Sequence, residues 1–419
     1  MIQKIRGTLD ILPEEIGYWH MIEHKAREVA ARYGFGEIRI PTFEATELFQ
    51  RGVGGTTDVV QKEMYTFQDR DGKSLSLRPE GTAGVVRAML ENGKCSDTLP
   101  LKYYYILNCF RHEKPQAGRY REFTQFGIEM FGAAGAAADA GVIALANTLL
   151  CELGVKDITL HINSIGCPTC RPDYHAALKE YFEARKEGLC PTCVGRLQTN
   201  PLRILDCKCP ECAAIAKDAP RTIDYLCLDC RAHLSLLEEC LKAAGIEYTV
   251  DSRIVRGLDY YTRTVFEFIA PVVGAQSTVC GGGRYDGLVK ELGGPAMAGI
   301  GFGMGINRLI LALKGSGVEP PKEQGPLLYT ASMGERATVY AVKLTELLRS
   351  QGAHAECDLC ARSLKAQMKY ADKIGAAYTL ILGDNEIEQG QAQLKNMSTG
   401  QQTPVSLEDT KGILAVLEG

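Results

Sequence analysis

The chain has 419 residues, which is too many for one ordinary hydrophobic core, so we expect two or three domains. Hydrophobic residues make up 45% of the chain and charged residues 23%, a balance typical of a globular protein and not of a disordered one. The formal net charge of −4 neither requires nor excludes a nucleic-acid partner, because binding depends on the local field rather than on the total charge.

The cellular compartment is indicated by the N-terminus and the cysteines. The first ten residues include charged side chains and no apolar run, so the sequence predicts no secretory signal. The most apolar stretch, residues 296–313, contains four glycines and Arg308, which disfavours a membrane span. Sixteen cysteines without an export signal indicate reduced thiols. We therefore expect a cytoplasmic protein with no membrane contact.

The first region of the chain alternates between one long helix and short strands. Residues 14–33 have the periodicity of a helix, and strands are predicted at 37–40, 74–77, 101–110 and 122–131. Because consecutive strands joined by short loops usually pair antiparallel, the pattern predicts an antiparallel sheet flanked by helices. After a cysteine-rich insertion, strands are predicted again at 248–250, 264–269 and 299–304.

A hairpin is predicted between two arginines. Arg111 and Arg121 bracket a nine-residue polar loop, and Arg121 opens a strand in which Gln125, Gly127 and Glu129 share its face. Such a polar row is costly to bury unless something binds to it. Guanidinium groups at both ends of the loop suit a polyphosphate, since arginine makes paired hydrogen bonds to phosphate oxygens. A hairpin with solvated arginines is the alternative.

The insertion contains four Cys-x-x-Cys pairs. They are Cys167/Cys170, Cys190/Cys193, Cys209/Cys212 and Cys227/Cys230. The gaps between pairs are 19, 15 and 14 residues, close to the spacing of structural zinc sites. Eight thiolates would suffice for two four-cysteine sites, which leaves Cys207 over, and the sequence does not determine how the pairs combine. Reduced, packed cysteines without a metal are the alternative.

A strand further along the chain carries alternating glycines. Gly299, Gly301, Gly303 and Gly305 fall on one face, which then has no side chains of its own. Such a run favours a flat group against the backbone, and an adenine ring fits. Arg308 follows, about where it could reach a phosphate tail. Close packing of neighbouring elements is the alternative, and a P-loop is excluded because no Gly-Lys-Ser/Thr follows.

The last region differs in pattern from what precedes it. Residues 315–326 have the glycine, proline and charge content of a linker. Beyond it the sequence predicts strands at 327–333, 353–359 and 378–383 and helices at 335–350 and 363–374. Alternating strands and helices of this length predict a small parallel-type α/β domain.

These segments together resemble the class II aminoacyl-tRNA synthetases. Residues 34–51 are similar to the dimer-forming first motif, the hairpin from Arg111 to the second motif, and GIGFGMGINR with Arg308 to the third. LRPEGT at 77–82, RGLDYYTR at 256–263 and GGGRYDGL at 281–288 resemble segments peculiar to the histidyl-tRNA synthetases. That family is expected to have an acidic residue where this chain has Asn307, so no ligand contact is assigned there.

The resemblance covers the whole chain and implies an α+β fold. A class II catalytic domain would span 1–165 and 241–318, a Cys-rich helical insertion 166–240, and a C-terminal α/β anticodon-binding domain 327–419. The implied enzyme activates L-histidine with ATP and Mg²⁺, releases pyrophosphate and transfers histidine to the terminal ribose of tRNA(His). The family also implies a homodimer. The resemblance does not imply zinc in the insertion.

The same resemblance assigns residues to ligands. Those implied to bind histidine are Glu80, Thr82, Arg111, Gln125, Glu129, Arg256, Tyr260 and Tyr261. Those implied to bind ATP are Arg111, Arg121, Gly303, Gly305 and Arg308. Arg111 and Arg256 are the implied catalytic residues, because both would contact the α-phosphate where charge develops during the reaction.

Two other functions fit parts of the pattern. A non-catalytic, synthetase-like regulatory subunit of histidine biosynthesis would share the catalytic fold, but such subunits typically lack the anticodon domain and the intact RGLDYYTR segment. A zinc-stabilised RNA-binding module would need the cysteines but not Arg111, Arg256 and Arg308 at these positions. Both are therefore less favoured than the synthetase.

Overall fold

The chain forms two compact units in a computed structural model that describes residues 1–55, 57–205, 207, 209–322 and 324–418. The first unit is Met1–Pro321 and the second is Lys322–Gly419. In the part of the chain so described, no helix combines the length and the apolar character that crossing a membrane requires.

The first unit is built on a large sheet. Its strands are β1 Gly36–Glu37, β2 Phe43–Ala45, β3 Thr66–Gln68, β4 Ser74–Leu77, β5 Leu101–Phe110, β6 Glu122–Phe131, β7 Thr159–Ser164, β8 Thr249–Val250, β9 Thr262–Ile269, β10 Thr278–Arg284 and β11 Gly299–Gly305. The order in the large sheet is β1-β5-β6-β11-β10-β9-β7-β8, while β2-β4-β3 form a small separate sheet. Only the outermost pairs, β1 with β5 and β7 with β8, are parallel among the described residues of this sheet.

Helices flank the large sheet on both faces and carry the insertion. They are α1 Pro13–Arg32, α2 Thr46–Phe49, α3 Thr82–Glu91, α4 Ala136–Glu152, α5 Arg171–Glu183, α6 Pro191–Thr199, α7 Pro210–Ala216, α8 Leu228–Ala243, α9 Leu288–Glu291 and α10 Ile306–Gly315. The buried faces of α1, α4, α8 and α10 pack with the sheet in one hydrophobic core. The predicted antiparallel sheet flanked by helices is confirmed.

The central hairpin matches the prediction in its strands. β5 and β6 pair along their whole length, from Leu101 opposite Phe131 to Phe110 opposite Glu122. Phe126 and Ile128 point into the helix-covered core, so the polar row lies on the opposite face. Both strands are rich in aromatic and β-branched residues, which fit a half-buried pleated surface.

The predicted strand at 37–40 is longer than the observed one. Strand β1 ends at Glu37, although the Ile38 amide still donates to the Tyr104 carbonyl at 2.8 Å. Pro41 follows shortly and has no amide hydrogen to continue a ladder. The pairing therefore stops early at this edge of the sheet.

The cysteine-rich insertion is helical, as the resemblance implied. Helices α5, α6 and α7 enclose a small core of their own around Tyr174, Leu178, Phe182 and Ile204. The start of α8 packs instead with the main core. A small core of this kind buries limited apolar area, so the insertion has less to hold it together than the sheet.

The second unit is a five-stranded sheet with helices over the described residues. Its elements are β12 Leu328–Ser332, α11 Glu335–Ser350, β13 Ala355–Cys357, α12 Leu364–Lys373, β14 Tyr378–Leu382, α13 Asp384–Gln389, β15 Gln391–Asn396, β16 Gln402–Ser406 and α14 Thr410–Glu418. Strands β13, β12 and β14 are parallel, which confirms the predicted α/β pattern. The antiparallel hairpin β15–β16 and helix α14 were not predicted.

Candidate active site and cysteine clusters

A cleft opens on the face of the large sheet opposite helices α1, α4, α8 and α10. Its lining is Glu80, Thr82, Tyr105, Arg111, Gln125, Arg256, Leu258, Tyr260, Tyr261, Gly281, Tyr285, Gly301, Phe302 and Gly303. Most residues predicted to bind histidine are thus brought together, although they come from distant parts of the chain. Glu129, Arg121, Gly305 and Arg308 are predicted site residues outside this lining.

Glu129 lies buried beneath the cleft. Its carboxylate accepts hydrogen bonds from the Thr82 hydroxyl at 2.7 Å, the Tyr105 hydroxyl at 3.1 Å and the Tyr285 hydroxyl. Burial raises the pKa of Glu129 to about 8, even though these donated hydrogen bonds lower it. A carboxylate offers about four lone-pair positions, so three donors leave it able to accept one more hydrogen bond.

Tyr105 and Tyr285 were missed by the sequence analysis. Tyr105 stands directly opposite Gly127 across the β5–β6 pair, and its ring fills the gap that the missing side chain leaves. Burial raises the pKa of both tyrosines well above its usual range, so both hydroxyls are neutral donors. The available signal was a glycine within the polar row, which indicates that a large neighbour lies over it.

Glu80 holds the start of helix α3. Its two carboxylate oxygens accept the backbone amides of Thr82 at 2.7 Å and Ala83 at 2.9 Å. Burial raises its pKa, while these donors oppose the shift. A carboxylate at a helix N-terminus satisfies amides that lack partners within the helix. Glu80 is therefore fixed in place on the wall of the cleft.

Arg256 lies over Gly281, where a β-carbon would overlap its guanidinium group. Its Nη1 donates to the Glu267 carboxylate, and its guanidinium carbon lies 5.8 Å from the centre of the Tyr261 ring. Burial lowers the pKa of Arg256, but the Glu267 carboxylate outweighs it and raises the pKa overall. Arg256 is therefore a permanent, immobilised cation, and Glu267 is a positioning partner that the sequence analysis missed.

The other predicted arginines are anchored by carbonyl oxygens. The Nε of Arg111 donates to the Pro79 carbonyl at 2.8 Å, and its guanidinium lines the cleft. Arg308 donates to the carbonyls of Gly118 at 2.9 Å and Thr278 at 3.0 Å. Burial lowers the pKa of Arg308 to about 10, so it remains charged at neutral pH.

Arg121 stands at the end of the second-motif hairpin. Its backbone amide donates to the Gly7 carbonyl at 2.7 Å, and its Nε lies 3.5 Å from the Glu113 carbonyl oxygen. The N-terminal segment thus lies against the hairpin loop. The predicted contact of Arg121 and Arg308 with the outer phosphates stays a prediction.

The glycine strand β11 is covered over most of its length. A β-carbon at Gly299 would overlap the Tyr285 ring, one at Gly301 the Glu129 carboxylate and one at Gly303 the Gln125 amide. Close packing therefore accounts for these three glycines. At Gly305 the nearest atom would be 4.0 Å away, so the strand is open at that end.

The segment GGGRYDGL contributes a buried ion-pair network below the cleft. Arg284 is fully buried and pairs with Asp139, which also lies 2.7 Å from the His233 ring nitrogen. Burial raises the pKa of Asp139, but His233 and Arg284 lower it overall. The network holds the chain next to Tyr285, whose amide donates to the Gly299 carbonyl at 2.8 Å.

The cysteines of the insertion form two groups of four. The neck cluster is Cys167, Cys170, Cys227 and Cys230, and the insertion cluster is Cys190, Cys193, Cys207 and Cys212. Within each cluster the sulfurs all lie within 4.8 Å of one another. Two sulfur pairs of the neck cluster are 3.8 Å apart, and Cys190 and Cys207 are 3.9 Å apart. A tetrahedral ion with Zn–S bonds of about 2.3 Å places its sulfurs about 3.8 Å apart.

The prediction that Cys209 belongs to a four-cysteine group is wrong, and Cys207, which was counted as left over, takes its place. Cys209 precedes Pro210 at the start of α7, and its thiol donates to the Glu211 carboxylate at 2.8 Å. Its sulfur thus falls outside the group of four whose sulfurs all lie within 4.8 Å of one another. The Cys-x-x-Cys spacing alone could not distinguish the two neighbouring cysteines.

Comparison with known proteins agrees with the fold. The model of the family described as histidyl-tRNA synthetase matches residues 7–168 and 213–309, and that of an anticodon-binding domain matches residues 327–417. The histidine–tRNA ligase of Acetivibrio thermocellus is 52% identical over 408 residues, covering 97% of this chain and 98% of the relative.

Solved structures have the same fold. Apo histidyl-tRNA synthetase of S. aureus matches with a TM-score of 0.83 and 39% identity, covering 100% of this chain and 99% of the other. A Bacillus halodurans structure, described as an ATP phosphoribosyltransferase regulatory subunit/histidyl-tRNA synthetase, matches at a TM-score of 0.65 and 23% identity, with 91% of this chain and 99% of the other covered. The second likeness concerns the fold alone.

Proposed function

The chain belongs to the histidyl-tRNA synthetase family and is a histidine–tRNA ligase, and we propose that the cleft over β6 and β11 is where histidine and ATP react. The enzyme activates L-histidine with ATP to histidyl-adenylate and pyrophosphate, then transfers histidine to tRNA. Support for the location comes from one observation above all: Arg111, Arg256, Gln125 and Tyr261 line the same cleft.

Histidine binds with its α-amino group against Glu80, Thr82 and Gln125. Glu80 is a fixed buried carboxylate, and a charged ammonium group would satisfy its uncompensated negative charge. Gln125 is held on β6, with its Oε1 3.5 Å from the Cys109 sulfur. These groups together recognise the part of the substrate that all amino acids share.

The imidazole is recognised by Glu129 and Tyr261, with Tyr260 beside them. A neutral imidazole has one N–H donor and one acceptor nitrogen, which a carboxylate and a tyrosine hydroxyl can match. Glu129 keeps room for one further hydrogen bond, and Tyr261 is neutral because burial raises its pKa. An amino acid without these two groups would leave buried polar atoms unpaired, which discriminates by about 10⁴–10⁵-fold.

Adenylate formation requires alignment and charge stabilisation rather than a general base. The histidine carboxylate is already ionised at neutral pH, so it attacks the α-phosphorus directly and pyrophosphate leaves. Arg111 and Arg256 stabilise the charge that develops on the α-phosphate. Gly303 and Gly305 adjoin the adenine, and Arg121 and Arg308 hold the outer phosphates. Mg²⁺, which this class of enzyme uses, neutralises the β- and γ-phosphates when bound.

The remaining regions serve tRNA and assembly. We assign the catalytic domain to 1–165 and 241–318, the insertion to 166–240 and the anticodon-binding domain to 327–419, and expect tRNA(His) to contact the last two.

A homodimer is supported by Phe43 and Phe67, whose exposed rings lie 6.4 Å apart on the small sheet. Exposed aromatic pairs of this kind are typical of interfaces. The reduced cysteines suit the cytoplasm.

Each cysteine cluster binds one structural zinc ion. The clusters supply four sulfurs each at distances that fit tetrahedral coordination, and both lie in or beside a module with a small core. We expect about two zinc ions per chain in protein purified without chelator. A content below about 0.2 zinc per chain would end this proposal.

The proposed site is tested by ATP–pyrophosphate exchange with each of the twenty amino acids. Histidine alone should support exchange, because only its side chain satisfies both Glu129 and Tyr261. Exchange with no amino acid would be the behaviour of a regulatory subunit and would contradict the proposal. Equal exchange with several amino acids would remove Glu129 and Tyr261 from recognition.

A further inference from the structure

The neck cluster lies where the insertion leaves the catalytic sheet. Cys167 and Cys170 follow β7, and Cys227 and Cys230 stand at the beginning of α8. The cluster therefore joins the first and last parts of the insertion. Its position differs from that of the insertion cluster, whose cysteines surround the small core.

The segment beside the neck cluster is bonded to the strand that follows the histidine-binding loop, residues 256–261. The Arg263 amide donates to the Gly166 carbonyl at 2.8 Å, and the Ile165 amide donates to the Arg263 carbonyl at 2.8 Å. Arg263 has a φ of 51°, in the left-handed region that non-glycine residues seldom occupy. These two bonds hold an unfavourable backbone conformation directly after the loop.

Arg171 connects the cluster to the loop itself. It follows Cys170 at the start of α5, and its guanidinium donates to the Tyr261 carbonyl and lies 3.5 Å from the Ile165 carbonyl. Tyr261 lines the histidine cleft and its ring stands 5.8 Å from the Arg256 guanidinium carbon. The Arg171 side chain thus connects the segment that carries Cys170 with the loop that carries Tyr261.

The charges of the two partners are complementary. Four thiolates around a Zn²⁺ ion leave a net charge of about −2, because coordination removes the thiol protons. The Arg171 cation adjoins Cys170 and would neutralise part of that charge. Groups that orient metal-site neighbours in this way are often as important as the ligands, and their loss commonly reduces affinity or activity 10- to 100-fold.

The insertion contacts the other end of the loop as well. Arg203 donates to the Arg256 carbonyl at 3.0 Å, and Asn200 donates to the Asp259 carboxylate at 3.1 Å. The loop that carries Arg256, Tyr260 and Tyr261 is therefore supported from the insertion side along its length. Its geometry depends on a region whose own core is small.

We infer that a zinc ion in the neck cluster is a positioning element for histidine recognition, acting through Arg171 on the Tyr261 backbone. This rests on the proposed zinc binding. With the ion bound, the segment from Gly166 to Arg171 is fixed and presents the Tyr261 hydroxyl to the imidazole. Without the ion, the segment loosens and histidine binds more weakly, whereas ATP, held by the arginines anchored on the sheet, binds as before.

The test compares Cys230→Ser and Arg171→Gln with the matched control Cys209→Ser, a thiol of the same region outside both clusters. Zinc content and the KM values for histidine and ATP in pyrophosphate exchange are measured for each. Cys230→Ser should hold about one zinc per chain and raise the KM for histidine about tenfold, with the KM for ATP unchanged. Arg171→Gln should keep both zinc ions and raise the histidine KM similarly, and Arg171→Lys should raise it less.

Hydrogen exchange of the Ile165 and Arg263 amides supplies a readout that does not depend on catalysis. Removal of zinc from the wild-type holoenzyme should speed exchange at both amides, and restored zinc should reverse it, even if Cys230→Ser does not fold. If the wild-type protein purified without chelator contained no zinc, the proposal that the clusters bind a metal would be overturned. Two zinc ions per chain with unaltered histidine KM in Arg171→Gln would overturn the positioning role alone.

Discussion

The catalytic cleft and the cysteine insertion hold buried polar groups in opposite ways. In the cleft, Glu129 and Glu80 are buried in a sheet backed by a large hydrophobic core, and hydroxyl and amide donors surround them. In the insertion, the buried groups are thiols, and the surrounding core is small. The sheet side of the cleft can therefore keep its geometry from packing, whereas the insertion, with its small core, would gain most from the proposed zinc ions.

The two regions meet at the loop that carries Arg256 and Tyr261. Arg256 is fixed from the sheet by Glu267 and Gly281, whereas the Tyr261 backbone is fixed from the insertion by Arg171. The proposed charge stabilisation on the α-phosphate would thus rely mainly on the rigid region, although Arg203 of the insertion also donates to the Arg256 carbonyl. The proposed recognition of the imidazole would rely partly on the region with the proposed metal, so the comparison predicts that the two functions can be separated.

The largest effect should come from the insertion. Cys207→Ser should release one of two zinc ions and lower the stability of α5–α7 by more than about 4 kcal/mol, because a cluster with three thiolates no longer encloses the ion. Limited proteolysis and metal analysis measure this. Cys209→Ser is the control and should match the wild type. If Cys209→Ser lost zinc and Cys207→Ser kept it, the assignment of the insertion cluster would be wrong.

In the cleft, the close packing over β11 predicts a graded response to alanine. Gly301→Ala should destabilise the protein by about 3 kcal/mol, since its β-carbon would overlap the Ile128 carbonyl and the Glu129 carboxylate. Gly305→Ala should leave stability unchanged and raise the KM for ATP, because that end is open and faces the proposed adenine. Denaturant unfolding and exchange kinetics measure both. Equal stability of the two variants would contradict the packing.

Glu129→Gln sharpens the role of the buried carboxylate. It should raise the KM for histidine about 100-fold, because an amide cannot reproduce the hydrogen bonding of the carboxyl group, with little change for ATP. Glu122→Gln is the control, because Glu122 opens the same strand and bonds to Asn108 at 2.9 Å at the surface. A Glu129→Gln enzyme with ordinary histidine KM would show that the imidazole is read elsewhere.

The last effect concerns pH. The pKa of Glu129 is raised from 4.5 to about 8 in the folded protein, so its contribution to stability is complete below its ordinary pKa and is lost as pH rises through about 8. The Glu129→Gln variant lacks this loss. Relative to wild type, it should gain up to roughly 1 kcal/mol of unfolding free energy per pH unit across that window. If the unfolding free energies of the wild type and Glu129→Gln differed by the same amount at pH 6 and at pH 7.5, the raised pKa of Glu129 would be contradicted.

The long elements with a regular apolar repeat were predictable from sequence. Strands β5 and β6 are long and aromatic, and period two correctly placed Gln125 and Glu129 on one face. The polar hairpin β15–β16 was missed because its apolar alternation is short, with Ala392 and Leu394 on one strand and Val405 on the other. Secondary structure was thus predictable where one buried face produces a regular repeat of apolar residues in the sequence.

The partners within the site were less predictable, because they depend on strand register and on contacts between distant residues. Tyr105 meets Glu129 only because it stands opposite Gly127, and Arg256 meets Glu267 across the turn of the loop. Asn307 departs from the family pattern, yet its Oδ1 accepts the Thr124 amide at 3.1 Å, as a carboxylate oxygen could. Apart from the gap at Gly127, local sequence carries no signal for such pairings.

The central claim is that Arg256 stabilises charge in the transition state without being needed to bind histidine. Arg256→Ala should slow adenylate formation about 10²–10³-fold in single-turnover experiments, while calorimetry shows histidine binding retained. Arg253→Ala, an exposed arginine paired with Asp251, is the control and should react like the wild type. Unchanged pyrophosphate exchange in Arg256→Ala would contradict the account.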